Sequence, residues 1–192
     1  MSTESWITWI AKHDVYDLDL RSDAAAQKFL RRVVEVGRDP KELLRPLDDK
    51  VGDFVDALSW ATREALWQFA PPLQLSKYVV HLFPDILQAA CELGARGAVF
   101  GFWDVFLIPW ELRQTWTFRP NVDKSFPIIE EVKEALIRQM GISNEGCLQR
   151  SALHGINHLK DEVTANRARA FESSFTEETK HYSISALAFR AL

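Results

Sequence analysis

The stretch DKVGDFVDALSWATREALWQF (residues 49–69) decides the fold class. When each residue advances about 100° around a helix axis, Val51, Phe54, Val55, Leu58, Ala65, Leu66 and Phe69 fall within one stripe. Pro71 and Pro72 close the segment, because proline lacks the donor a helix needs and its ring clashes with the preceding turn. Trp60 and Trp67 fall roughly opposite the stripe. This helix therefore has two apolar sides, and a helix of that kind needs neighbours on both.

Helical spacing continues outward in both directions. Upstream, Trp6, Trp9 and Ile10 predict a short opening helix, and Val15 to Leu20 alternates in character. Ser22 and Asp23 are capping residues ahead of Ala26, Phe29, Leu30, Val33 and Val34, and Gly37 can end that helix. Asp39 and Pro40 read as N-cap and first helical residue of a brief helix through Leu44. Downstream, Pro84 within the apolar segment from Lys77 to Leu93 predicts a kink or two short helices. Gly94 and Gly97 bracket a turn.

Ala98 to Thr117 is apolar almost all round, the mark of a buried central helix, with Pro109 bending or dividing it. Arg119 to Phe126 reads as a connecting loop. Pro127 then opens a helix carrying Ile128, Ile129, Val132, Leu136 and Met140, closed by Gly141. Ser143 or Asn144 caps the next, Glu145 to Lys160, followed by a charged helix from Glu162 to Phe175 and a last one from Ser185 to Leu192. Strand signals are scarce. The expectation is an all-α fold, an irregular array of packed helix pairs or a compact helical bundle, forming a single helical domain over residues 1–192.

Composition narrows the function classes. Net charge is −4 with both signs mixed along the chain, so no basic face is available to meet phosphates and nucleic-acid binding is not expected. The longest apolar run, Ala98 to Trp110, is too short for a membrane span of about 20 residues. Met1 to Ile10 contains Glu4 and no basic flank, unlike a signal peptide. Cys91 and Cys147 lie far apart, unlike a disulfide framework, and a cytoplasmic location is expected.

Ser151-Ala152-Leu153 recurs as Ser185-Ala186-Leu187 at an offset of 34 residues, the length of a helix pair with its turns. The segment Ser151-Ala152-Leu153-His154-Gly155-Ile156-Asn157-His158-Leu159, with Cys147 upstream, resembles part of the HEAT-like helical-repeat proteins of bacteria. The resemblance covers residues 145–160 and brings no catalytic residue with it. It implies a HEAT-like α-solenoid in which helix pairs stack on their neighbours, with a repeat-like portion over residues 143–192. Prolines at positions 71, 72, 84 and 109 depart from a regular repeat.

The same helix carries the best candidate chemistry. In projection Cys147, His154, His158 and Asp161 share one face, opposite Leu148, Ala152, Ile156 and Leu159. Two histidines at i, i+4 can ligate one metal, and zinc is the expected ion if one binds. Cys147 is 11 residues from His158, about 16 Å along the axis, so those two cannot share an ion. The metal candidates are therefore His154, His158 and Asp161. Zinc proteases place a Glu after the first His; Gly155 stands there instead. The bland reading is that a small, polar face lets two helices approach closely, with the imidazoles hydrogen-bonded across the contact.

His81, on an apolar stretch, reads as a satisfied core residue, and His13 and His181 as solvated ones. The acid pairs Asp48-Asp49, Asp53-Asp56 and Glu130-Glu131 suit helix starts and outer faces rather than catalysis. No phosphate loop, nucleophile elbow or paired-cysteine motif is present. The leading expectation is a non-catalytic protein–protein interaction module with Trp60 and Trp67 at its contact surface and no cofactor. One version is a small acidic immunity-type protein that neutralises a toxin partner. The alternative is a metal-dependent hydrolase built on His154 and His158.

Overall fold

A computed structural model describes residues 1–13, 18, 20–69, 71–107, 128–142 and 145–187. The described residues are helical without strands, as the spacing predicts. The helices are α1 (Thr3–Ile10), α2 (Asp23–Arg38), α3 (Pro40–Leu44), α4 (Val51–Trp67), α5 (Leu73–Glu92), α6 (Arg96–Leu107), α7 (Ile129–Ile142), α8 (Gly146–Leu159), α9 (Glu162–Arg169) and α10 (Glu177–Ala186). Short 3-10 turns occupy Arg45–Lys50 and Glu172–Ser174. Among the described residues, no helix is long and apolar enough to cross a membrane.

Two rows of helices organise the chain. One row is α4, α6, α8 and α10, each packed on the next; the other is α2, α5, α7 and α9. The helices within the first row run in the same direction: Gly52 and Trp67 of α4 face Ala98 and Phe106 of α6, Gly155 of α8 faces Trp103 of α6, and Gly146 and His154 of α8 face Thr176 and Tyr182 of α10. Ser59 donates to the Phe102 carbonyl between α4 and α6, Ser151 to the Val99 carbonyl between α6 and α8, and Arg150 pairs with Glu178 between α8 and α10. The second row is laced by Lys77–Glu131 and Arg138–Asp85 between α5 and α7, then Arg167–Glu134 between α7 and α9. This is an array of packed helix pairs.

The apolar run behaves as its composition requires. Phe102, Trp103 and Phe106 of α6 are fully buried and meet Phe83 of α5 edge-on at 4.9 to 6.0 Å between ring centres. Trp110, Trp116, the loop at 119–126, the caps at 143 and 144 and the segment 14–17 lie outside the described residues.

Four expectations need correction. Pro84 does not divide the segment into two short helices: α5 runs unbroken through it. Arg138 of α7 donates to the His81 carbonyl and grips both oxygens of Asp85, bridging the turn that contains Pro84. His81 itself is exposed, on the solvent side of α5 with Tyr78. The charged helix stops at Arg169, and the last helix starts at Glu177, where Thr176 accepts from the Thr179 amide as a side-chain cap. The tripeptides of the 34-residue echo therefore occupy different places, the middle of α8 and the end of α10.

Gly155 shows how closely the rows pack. A Cβ there would lie 2.6 Å from Leu136 Cδ2 and 3.0 Å from Trp103 Cγ, both on fully buried side chains. Alanine at a helical glycine gains about 1 kcal/mol in propensity, whereas overpacking a closed core costs about 1–3 kcal/mol. Gly155→Ala should therefore be net destabilising, read as a lower urea midpoint with an unchanged slope. A midpoint at or above that of the wild type would show that α8 has room to move.

Candidate metal centre

Site geometry begins with how α8 meets α6. Small and polar residues on one side of α8 bond the exposed backbone and side chains of its neighbour. Cys147 Sγ contacts the Arg96 carbonyl at 3.8 Å, and Ser151 Oγ donates to the Val99 carbonyl at 2.6 Å. One and two turns further on, the same edge presents His154 and His158, and α6 presents Asp104. The bland reading of this face holds along its length, since the imidazoles too are hydrogen-bonded across the contact.

Its second half also gathers groups that can ligate a metal. His154 Nε2 lies 2.8 Å from Asp104 Oδ1, His158 Nε2 bonds the same oxygen, and the two Nε2 atoms are 3.3 Å apart. Ligand atoms of the three residues all fall within 4.8 Å of one another. Two nitrogens bound to one tetrahedral zinc at about 2.0 Å must themselves be ~3.3 Å apart, so the imidazoles already stand at a ligating separation. The side chains are 34 % exposed at Asp104, 19 % at His154 and 7 % at His158. One side of the cluster thus opens to solvent.

Electrostatics fit an ionised carboxylate. Burial works to raise the Asp104 pKa, but hydrogen bonds from His154 and His158, and their charge, outweigh it and hold the group well below the usual carboxylate range. An ionised Asp104 and two imidazoles are the oxygen and nitrogen donors that zinc accepts. Beyond the cluster, Phe100 stacks on the His154 ring at 4.7 Å, and Tyr182 Oη of α10 lies 2.6 Å from His154 Nδ1. Burial and the Asp104 charge push the Tyr182 phenol up to about 12, so it remains protonated at neutral pH.

Of the sequence candidates, the structure brings His154 and His158 together and leaves Asp161 out. Helix α8 ends at Leu159 and Lys160 turns left-handed at φ 48°, so the 100° projection no longer applies two residues later. Asp161 instead caps α9, accepting from the Thr164 amide at 2.8 Å, and faces Lys133. Asp104 holds the third position. Its signal was present in the sequence as the single charge in the apolar stretch 98–107, where a buried carboxylate needs partners. Tyr182 had no such signal.

The remaining candidates sit elsewhere. Trp60 and Trp67 are half-buried against the core, with Trp67 edge-on to Phe106 at 5.8 Å and the Arg63 guanidinium over its ring. Cys91 and Cys147 are both free and buried, yet their thiols meet where α5 passes the start of α8. The hydrogen bond to Cys147, then burial, raises the Cys91 pKa far above the ordinary thiol range, which disfavours a reactive thiolate there. Of the acid pairs, Asp48, Asp49, Asp53, Asp56 and Glu130 are exposed, whereas Glu131 is largely covered; Asp53, Glu130 and Glu131 bind Lys50, Lys133 and Lys77.

No protein-family model, curated protein or solved structure matches the chain. The reading of the site therefore rests on its own geometry.

Proposed function

We propose that this protein binds a divalent transition-metal ion, zinc foremost, between Asp104, His154 and His158, and works through it. The convergence of one carboxylate and two imidazoles, with ligand atoms within 4.8 Å, carries this reading. Three protein ligands with an open side are the arrangement of sites that keep a position for water or substrate, rather than of closed structural sites. A bound zinc supplies Lewis-acid polarisation and a water of lowered pKa, which makes hydrolysis the reaction class the centre suits. The chain's part is to hold the three donors, with Asp104 ionised and Phe100 walling one face of His154.

A second reading retains the interaction module. Trp60 and Trp67 of α4 are covered only in part by the core, and large aromatics at a surface are frequent contact anchors. Two rows of helices are also what a HEAT-like array would present to a partner, a toxin neutralised by an immunity-type protein included.

Native mass spectrometry of protein purified from its own host without chelator separates the two. The metal reading expects one zinc-sized increment per chain, lost in His158→Ala. Protein that stays metal-free after incubation with zinc salts overturns it, and a stoichiometric protein partner in that sample favours the second reading.

A further inference from the structure

An imidazole that meets a metal through one nitrogen must place its proton on the other, and at His154 the other nitrogen has a defined partner. Nδ1 lies 2.6 Å from Tyr182 Oη while Nε2 lies 2.8 Å from Asp104 Oδ1. A neutral ring carries a single N–H, so the two contacts constrain each other. Without metal, Nε2–H donates to the carboxylate and Nδ1 accepts from the phenol. With a metal on Nε2, the ring N–H moves to Nδ1 and donates to Tyr182 Oη. A phenol oxygen can take either role, and a phenylalanine ring neither.

Packing keeps that partner in place. Tyr182 stands edge-on to Phe100 at 5.9 Å and tilted to the His154 ring at 6.3 Å between centres. One turn earlier on both helices, Arg150 of α8 pairs with Glu178 of α10. Direct coordination by Tyr182 does not fit, because its oxygen bonds the nitrogen on the side of the ring away from Asp104.

We infer that Tyr182 is a positioning residue of the metal centre, which reverses its hydrogen bond with His154 when an ion binds and so selects Nε2 as the ligating atom. The inference rests on the metal reading above. Partners of this kind typically change metal affinity by about 10–100-fold when removed.

The test uses the full chain, zinc chloride in competition with a chelating dye, and Tyr182→Phe, which keeps the ring and removes the oxygen. Zinc affinity should fall about 10–100-fold in the variant. Nitrogen-15 NMR of the wild-type imidazoles should place the His154 proton on Nε2 without zinc and on Nδ1 with it. That second readout needs no variant and stands even if Tyr182→Phe folds poorly. Zinc bound by wild type, with the same protonated nitrogen in both states or with Tyr182→Phe unchanged in affinity, overturns this inference alone. Wild type that takes up no zinc overturns the metal reading and this inference together.

Discussion

Replacing Asp104 by asparagine is expected to weaken zinc binding on the order of 10²-fold or more, because it removes the only anionic ligand while keeping the side chain's size. Both imidazoles bond Asp104 Oδ1, so the amide oxygen can still accept from both, but as a neutral acceptor in place of a charged one. A hydrogen bond to a charged group contributes about 1.5–3 kcal/mol against about 0.5–1.5 kcal/mol for a neutral one, so metal-free Asp104→Asn should also unfold at lower urea. Zinc titration and urea denaturation of the variant read the two effects separately. Affinity equal to that of the wild type would mean that the ion, if bound, sits elsewhere.

Trp103→Ala carries the largest expected effect on stability. The ring is fully buried, packs edge-on against Phe83, Phe102 and Phe106, and underlies Gly155 of α8. Its Nε1 donates to Gln139 Oε1 at 3.1 Å, and Gln139 Nε2 donates to the Leu148 carbonyl at 3.0 Å. One side chain therefore ties α6 to α7 and, through Gln139, to α8. Removing it leaves a cavity and an unpaired buried amide, and comparable truncations cost about 3–5 kcal/mol. Trp103→Phe separates the contributions: it refills most of the volume but strips the donor, for a loss of about 1–3 kcal/mol. A loss below about 1 kcal/mol in Trp103→Ala would contradict the packing described for the row.

The helices were legible because their physics is local. Stripes such as Val51, Phe54, Val55 and Leu58 mark a face by spacing alone, and all four are buried. Pro84 misled because its penalty is local while the contacts that hold its turn, those of Arg138, arrive from α7 and have no sequence signature near it. The metal centre divides in the same way. His154 and His158 share a turn of one helix and are visible as a pair, whereas Asp104 sits 50 positions before His154 and meets it only through helix stacking. Asp161 looked equivalent in projection, but that projection assumes a helix continuing past Leu159, where the backbone turns left-handed.

The measurement that tests the central claim most directly is X-ray absorption at the zinc edge on zinc-loaded wild-type protein. Ligation by Asp104, His154 and His158 predicts a shell of nitrogen and oxygen only, with the outer-shell signature of two imidazoles. A sulfur ligand would move the ion to the paired thiols of Cys91 and Cys147, and a sample that retains no zinc would contradict the metal centre outright.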